Sequence, residues 1–277
     1  MSAKEPALSE RMKHVLMLVS PHKAVADVGC DHGYMAIELI RSGKAGRVIA
    51  MDIHEGPLAR ARANLTAYGL CDEIETRRSD GMEALCRGEV QGVICAGMGG
   101  KTICGIMERS RLLVRELDEL VLQPQSELHM VRGYLRENGF LIAAEDMVSE
   151  DGKFYPMMRV IPVRGAEKEC AEVRMGISGE KELCGVEKKV PGSMETEKEN
   201  AEAGAQRQRV EDKYGPCLLA EGHPVLRQYL QKERAVCEEV LRNLSQTDTE
   251  RGLSRREELS QRLSDIAIAE EICAQRL

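Results

Sequence analysis

The chain has 277 residues, a formal net charge of −7, 43% apolar residues and 31% charged residues. This composition is ordinary for a globular protein, and the acidic balance excludes a uniformly basic coat for nucleic acid. With six Tyr, two Phe and no Trp, the sequence disfavours an RNA-binding module built on stacked aromatic side chains. No segment approaches the ~20 consecutive apolar residues of a membrane span, and residues 1–15 lack the apolar stretch of a signal peptide.

The ten cysteines follow no C-x-x-C pattern and are spaced irregularly. A secreted disulfide framework is denser and occurs in shorter chains, so we expect free thiols and a reducing, cytoplasmic location. Cys30 and His32 lack a second pair of ligands, so we predict no metal site.

Residues 1–163 alternate between strand and helix patterns. The predicted strands are Lys23–Val28, Arg47–Asp52, Ile74–Arg78, Gly92–Ala96, Leu117–Leu122, Phe140–Val148 and Phe154–Val163. The predicted helices are Tyr34–Ser42, Gly56–Tyr68 and Ser126–Asn138. Such alternation is typical of βαβ units, and the short link between the last two strands indicates a hairpin. We therefore predict an α/β, Rossmann-like domain with a mostly parallel sheet and one antiparallel strand.

Two further segments follow this domain. Residues 164–213 are highly charged and contain no aromatic residue, which predicts a flexible insertion with at most a transient helix near Glu195–Arg209. Residues 214–277 carry two apolar stripes at helical spacing, separated by a predicted loop over Ser245–Arg255. This pattern predicts an antiparallel helical hairpin or coiled coil, which either packs on the protein itself or grips a partner.

The motif Val25–Tyr34 carries most of the chemical information. It runs from an apolar strand through a G-x-D-x-G turn, with Gly29 and Gly33, into a helix. Ligands of open α/β sheets bind at the carboxyl ends of strands, and glycine lets them approach the backbone. The third glycine of the dinucleotide fingerprint is missing, which disfavours a nicotinamide-dependent oxidoreductase. The acidic residues Asp27 and Asp31 suit a cationic ligand, such as S-adenosylmethionine with its sulfonium and ammonium groups.

Acidic residues also follow the next two strands. Asp52 ends the second strand, 23 residues after Gly29, where an acid is expected to bind ribose hydroxyls. Asp80-Gly81 follows the third strand, where a carboxylate accepts a hydrogen bond from an adenine amino group. Each acid alone is equally consistent with a turn or a helix cap, but the three together favour a nucleoside-containing cofactor.

Two loops complete this edge of the predicted sheet. Ala96-Gly97-Met98-Gly99-Gly100 follows the fourth strand, and its small residues allow a planar group to approach closely. Gln123-Pro124-Gln125 follows the fifth strand, where two amides offer donors and acceptors to the edge of a base. The structural alternative for the first loop is a tight turn before a helix. The structural alternative for the second is an ordinary loop.

Taken together, the motifs resemble the TrmK family of bacterial tRNA (adenine-N1)-methyltransferases, which act at adenine 22. The resemblance covers nearly the whole chain and is carried by Leu8–Met12, Ala26–His32, Ser79–Met82, Ala96–Gly100, Leu122–Gln125 and Gly215–Leu219. Ala96–Gly100 matches the family's A-G-M-G-G outright. Cys30, Asp52 and Gln125 depart from the family's Ser, Glu and Asn, and the insertion over 164–213 is longer than usual.

The resemblance implies methyl transfer from S-adenosylmethionine to adenine N1 of tRNA. Asp31 and His32 are then the candidate catalytic residues, although a helix cap and a packed histidine are their structural alternatives. The candidate cofactor-binding residues are Asp27, Gly29, Asp31, Tyr34, Asp52, Ile53, Asp80, Gly81, Ala96, Gly97, Met98 and Gly99. The candidate substrate-binding residues are Arg11, Gly100, Gln123, Pro124 and Gln125.

The expected partner is tRNA, bound by a monomer that needs neither a membrane nor a metal. Local basic residues are candidates for phosphate contacts: Arg11, Lys13, Arg77, Arg78, Lys101, Arg109, Arg111, Arg132 and Arg136. Two other functions remain open on sequence grounds. One is a methyltransferase for a small molecule, and the other is a non-enzymatic helical adaptor with a degenerate nucleotide-binding domain.

Overall fold

The computed structural model describes residues 8–164, 194–244 and 250–275, and it describes only the backbone of residues 194–200. The chain divides into two compact units, Met1–Pro162 and Val163–Leu277. None of the described helices is long and apolar enough to cross a membrane.

The first unit is built on a seven-stranded sheet in the order β3-β2-β1-β4-β5-β7-β6. The strands are β1 (His22–Val28), β2 (Ala45–Asp52), β3 (Ile74–Arg78), β4 (Gly92–Met98), β5 (Glu119–Pro124), β6 (Phe140–Glu150) and β7 (Lys153–Pro162). Strands β1 to β5 pair in parallel, whereas β7 pairs antiparallel with both β5 and β6. The predicted mostly parallel sheet with one antiparallel strand is therefore confirmed.

The hairpin between β6 and β7 is tighter than predicted. Asp151 and Gly152 alone form the turn, with φ angles of 50° and 74°. Two consecutive left-handed residues match the twist of a two-residue hairpin, so the strands extend further than their apolar residues suggest.

Helices cover both faces of this sheet. They are α1 (Glu10–Leu18), α2 (Tyr34–Arg41), α3 (Glu55–Tyr68), α4 (Gly100–Arg109), α5 (Arg111–Val114) and α6 (Leu128–Glu137). One apolar layer joins the sheet to α4 and α6, and the other joins it to α1, α2 and α3. Successive residues of a strand enter opposite layers: Val25 packs in one and Ala26 in the other. Packing on both faces fixes the strand ends from which the site is built.

The second unit is helical where it is described. Its helices are α7 (Met194–Tyr214), α8 (Pro216–Glu221), α9 (Pro224–Leu244) and α10 (Glu250–Ala274). Helices α9 and α10 pack antiparallel, with ion pairs from Glu233 to Arg262 and from Arg234 to Glu270.

Part of the predicted insertion forms a helix, which is longer than the transient helix predicted near Glu195–Arg209. Residues 165–193 lie outside the described part of the chain, but residues 194–213 belong to α7. Val210 is fully buried, and the Arg209 guanidinium lies 2.8 Å from the Asp265 carboxylate of α10. The low apolar content hid these contacts, because α7 is anchored by ion pairs as well as by apolar burial. Of the predicted loop over residues 245–255, residues 250–255 begin α10.

Candidate functional site

The carboxyl ends of the parallel strands meet along one edge of the sheet. Register places Val28 beside Met51, Asp52 beside Arg78, and Ala96 beside Gln123. The predicted site residues of five strands therefore lie on the same edge, in the order set by the sheet. This is the usual position of ligands in open α/β sheets.

The turn after β1 is held tightly against β2. The amides of Gly29 and Cys30 both donate to the Met51 carbonyl, at 2.8 and 2.9 Å. Gly29 and Gly33 have φ angles of 83° and 73°, so both occupy the left-handed region that favours glycine. A Cβ on Gly33 would also lie 3.1 Å from Ala61 Cβ, because α2 begins in contact with α3.

Asp27 is the most unusual acid of the site. Its side chain is 4% exposed, and Oδ2 has no hydrogen-bond partner among the described residues. Burial, and secondly the negative charge of Asp52, raise the pKa of Asp27 to about 7. Burying a carboxyl group without a hydrogen-bond partner costs free energy. A cationic or hydrogen-bonding ligand that reaches Asp27 offsets this cost and therefore binds more tightly.

A cleft lies at the ends of β2 and β3, lined by Asp80 and by Ile53, the residue that follows Asp52. Asp52 is half-buried, and its Oδ1 accepts the amide of His54 at 2.8 Å. The cleft has a volume of about 420 Å³ and is lined by Ile53, Arg78, Ser79, Asp80, Glu83 and Ala84. Ile53 exposes 45% of its surface although it is apolar. An exposed aliphatic side chain beside a carboxylate suits a planar base with an amino group.

Asp80 is held from α4. Arg109 donates to Asp80 Oδ1 at 2.9 Å and to Glu83 at 2.9 Å. Gly81 follows with a φ angle of 59°, and a Cβ there would lie 2.8 Å from the Ile106 side chain. The turn after β3 is thus packed directly on α4.

The two candidate catalytic residues lie on the exposed side of the first turn. Asp31 has a φ angle of 39° and forms an ion pair with Arg60 of α3 at 2.7 Å. His32 Nε2 lies 3.5 Å from Asp31, and its ring stacks on Tyr34 with 5.8 Å between centroids. Tyr34 is half-buried at the start of α2. Sequence reasoning missed Arg60, which lies 29 residues from Asp31 and has no local motif of its own.

The loops after β4 and β5 are joined through a buried amide. Gln123 is fully buried, and its Oε1 accepts Gly97 N at 3.1 Å and Arg11 Nη1 at 2.8 Å. Gln125 N donates to the Met98 carbonyl at 2.8 Å. The structure thus brings together predicted cofactor and substrate residues that are up to 112 residues apart.

Arg11 reaches this loop pair from α1. Ser9 caps that helix by accepting Met12 N at 3.4 Å, and Val15 is fully buried. The Arg11 guanidinium also lies 5.2 Å from the centroid of the Tyr155 ring on β7. Sequence reasoning did not single out Tyr155, since only the antiparallel insertion of β7 brings it to this edge.

The remaining predicted residues lie at the ends of β4 and β5. Met98 pairs with Pro124, and Met98 is half-buried whereas Pro124 is buried. Gly99 precedes α4 and Gly100 is its first residue, where a Cβ would lie 2.5 Å from the Ser126 carbonyl. Only glycine therefore permits the two loops to approach this closely.

Arg132 is not available to a nucleic acid, so its prediction as a phosphate contact was wrong. Its side chain is 1% exposed and forms an ion pair with buried Glu145 at 2.9 Å. Burial on the apolar face of α6 decides its position, which a list of basic residues does not reveal. Arg77 is likewise held by Glu75 and Glu89.

The described residues contain no cluster of His, Cys, Asp or Glu suited to a metal ion. Their eight cysteines are free thiols, of which Cys30, Cys95, Cys237 and Cys273 are buried.

Comparison with known proteins agrees with this architecture. Residues 8–158 match the family model described as a methyltransferase domain. The chain is 31% identical over 154 residues to the tRNA (adenine(22)-N(1))-methyltransferase of Bacillus subtilis, a match that spans 56% of this chain and 65% of that relative.

Solved structures resemble almost the whole chain. A putative tRNA (m1A22) methyltransferase of Streptococcus pneumoniae is 28% identical, with 95% of this chain and 99% of that chain covered and a TM-score of 0.72. Its complex with S-adenosyl-L-methionine matches with 27% identity, 95% and 99% coverage and a TM-score of 0.70. The chain belongs to the methyltransferase-domain family, and its sequence motifs resemble those of the TrmK group within it.

Proposed function

We propose that this protein transfers a methyl group from S-adenosylmethionine to N1 of adenine 22 in tRNA. The observation that carries the proposal is the row of carboxylates at adjacent strand ends, with Asp27 buried and unpartnered among the described residues. Such a row suits a ligand with a cationic end, a ribose and an adenine. The S. pneumoniae relative solved with S-adenosyl-L-methionine supports the same ligand.

Each part of the cofactor has a matching group along the edge. Asp27 would face the cationic amino-acid end, and Asp52 would accept hydrogen bonds from the ribose hydroxyls. In the cleft, Ile53 would pack against the adenine while Asp80 accepts from its amino group. The bound cofactor supplies a methyl group on a sulfonium, so the chain's own residues need only hold it in line with the acceptor.

The acceptor side is formed by the Gly97–Gly100 loop and Gln123–Gln125. Adenine N1 has a free lone pair, so no proton must be removed before it attacks the methyl carbon. N1 lies on the Watson–Crick edge, so the target base must be unpaired or turned out of its stack. The amides of this loop pair can then bind the base edge, and Arg11 can contact a phosphate.

Charge moves from the cofactor to the adenine ring during the reaction. We assign Asp31 to stabilise the positive charge that develops on the adenine, and His32 to orient Asp31. In the free protein Arg60 forms an ion pair with Asp31. Binding of the target adenine next to Asp31 therefore requires Arg60 to turn toward solvent or toward a phosphate.

The wider organisation follows from the same proposal. The first unit binds the cofactor, and the helices of residues 214–277 clamp the tRNA. The protein acts as a cytoplasmic monomer with tRNA as its macromolecular partner.

The proposal is tested with labelled S-adenosylmethionine and an unmodified tRNA transcript. A matched transcript has adenine 22 replaced by guanine. Label should enter only the first transcript. Label in both would refute the position, and label in neither with the cofactor bound would refute the substrate. Asp31→Asn should reduce turnover by about 100-fold or more and weaken cofactor binding by a smaller factor.

A further inference from the structure

Tyr155 lies at the acceptor side of the site without a part in the reaction described so far. It is half-buried near the start of β7, the strand inserted between β5 and β6. The antiparallel register pairs Leu122 with Met158, so β7 runs back past the carboxyl end of β5 toward Gln125. Tyr155 is therefore an aromatic side chain beside the loops that would receive the base.

The face of the Tyr155 ring is occupied by a planar cation. The Arg11 guanidinium carbon lies 5.2 Å from the ring centroid, while Arg11 Nη1 donates to Gln123 at 2.8 Å. The same guanidinium lies next to the backbone of Gly97, where a Cβ would be 3.6 Å from Nη1. The guanidinium on the ring face therefore contacts both the cofactor loop and the acceptor loop.

Methylation turns the target adenine into a planar cation of similar kind. N1 forms a bond to the methyl carbon, the sulfur–carbon bond breaks, and the sulfur keeps that electron pair. The adenine ring acquires the positive charge that the sulfonium loses. An aromatic face attracts a planar cation more strongly than a neutral ring, so its contribution grows along the reaction.

We propose that Tyr155 stacks on the target adenine and stabilises the charge that the base acquires, with the Arg11 guanidinium holding its place in the free protein. This inference rests on the proposed function and adds a specificity-determining residue to it. Arg11 has the reach to leave the ring, since it is a long side chain on the first turns of α1 and is drawn to tRNA phosphates. His14 of the same helix ties α1 to the sheet, since its Nδ1 lies 2.6 Å from the Asp146 carboxylate on β6.

The first experiment measures nucleoside binding to the full chain in the presence of S-adenosylhomocysteine. At pH 7, 1-methyladenosine is cationic and adenosine is neutral. The protein should bind 1-methyladenosine at least fivefold more tightly than adenosine. Tyr155→Phe should keep that preference, Tyr155→Leu should lose it, and Arg11→Met should raise the affinity for 1-methyladenosine because the ring face is vacated.

The second experiment measures methyl transfer to tRNA. Tyr155→Leu should lower kcat at least tenfold with an unchanged KM for S-adenosylmethionine, and Tyr155→Phe should stay within threefold. Phe154→Leu is the matched control, because adjacent strand residues face opposite sides of the sheet. It should leave kcat unchanged.

The two possible failures are distinguishable. Equal affinity for the two nucleosides, or an unchanged kcat in Tyr155→Leu, would overturn the role of Tyr155 alone. Absence of transfer by the unaltered protein would overturn the proposed function, and nucleoside selectivity would still test the ring. Since Tyr155→Phe preserves the ring, a loss of selectivity in that variant would also contradict the inference.

Discussion

The two units of this protein use buried charge differently. The interior of the first unit is mostly apolar, and both side chains of its Arg132–Glu145 ion pair are buried, although Glu119 of the same unit is buried beside the partly exposed Arg159. In the second unit, buried Glu233 and Asp265 are reached by cations that remain partly exposed. Apolar packing holds strand ends rigidly in the first unit, whereas directional ion pairs set the register of helices in the second.

The ion pairs around the buried Glu233 and Asp265 form one network. Glu233 pairs with Arg262 and lies 3.9 Å from Lys213, which lies 3.6 Å from Asp265. Burial, and secondly the charge of Glu233, raise the pKa of Tyr214 well above its usual range. This difference between the units teaches that a charged sequence can still pack, provided that its charges reach one another.

The largest expected loss of stability comes from breaking the buried Arg132–Glu145 ion pair of the first unit. Glu145→Gln removes the buried carboxylate that pairs with the Arg132 guanidinium, and we expect a loss of about 3–5 kcal/mol in unfolding free energy. Urea unfolding measures the loss, and amide hydrogen exchange in β6 assigns it to the first unit. Arg41→Gln removes the exposed pair with Glu38 and should change nothing measurable. Equal losses of unfolding free energy in Glu145→Gln and Arg41→Gln would contradict the distinction between buried and exposed ion pairs.

The next effect tests the rigidity of the strand ends. In Gly100→Ala the new Cβ would lie 2.5 Å from the Ser126 carbonyl, so backbone must move, and we expect a loss of about 2–3 kcal/mol. Gly97→Ala is the matched control. Its Cβ would meet nothing closer than 3.6 Å, so only the left-handed φ of 77° opposes it, at about 1 kcal/mol. If thermal unfolding shows that Gly97→Ala is destabilised more than Gly100→Ala, the two loops do not lie as close together as described.

Glu233→Gln should have a smaller effect in the second unit. Its partner Arg262 is 43% exposed and can turn to water, so we expect a loss of about 1–2 kcal/mol. Hydrogen exchange in α9 reports this loss directly. A loss as large as that of Glu145→Gln would remove the difference between the two units.

Asp27 sharpens the comparison, because it is a buried acid of the first unit whose Oδ2 lacks a partner among the described residues. Below pH 7 it is protonated, and a cationic cofactor must displace that proton. Affinity for S-adenosylmethionine should therefore fall about eightfold between pH 7.5 and pH 6, and Asp27→Asn should bind with a flat pH profile. Calorimetric titrations over this range measure both, and a wild-type affinity that rises on acidification would contradict the assignment.

The same group makes a prediction for stability. Its pKa is raised in the folded state, so its contribution is most favourable below the unfolded pKa of ~3.9 and is lost as pH rises toward 7. Asp27→Asn should accordingly stabilise the protein at pH 8 and not at pH 4. Thermal unfolding at the two pH values checks this, and an equal shift at both would show that charge is not the cause.

The centre of the sheet was predictable because β2, β4 and β5 contain continuous apolar runs bounded by glycine and charge. Strand boundaries differ by only a few residues, and the motifs at the strand ends lie on one edge as expected. Helices α1 and α4 are not among the predicted helices. Only Val15 is fully buried in α1, and α4 contains two glycines, although its apolar residues Ile103, Ile106 and Met107 recur at helical spacing.

Long-range partners were not predictable. Arg60, Tyr155 and the partner of Arg132 depend on which helix face or inserted strand meets the site, and no local pattern encodes that. The position of α7 was not predictable either. Its charged residues are typical of a solvent-exposed segment, but in the structure they form ion pairs with α10. Motifs reveal the chemistry of a site, whereas tertiary packing decides which neighbours tune it.

The proposed methylation of adenine 22 at N1 by the edge of the first unit has a direct readout. N1-methylation blocks the Watson–Crick edge, so reverse transcription stops beside the modified base and maps it. With S-adenosylmethionine and the unaltered protein, tRNA should give one new stop adjacent to position 22, and that stop should be absent with Asp31→Asn. A stop at another position, or none despite cofactor binding, would contradict the account.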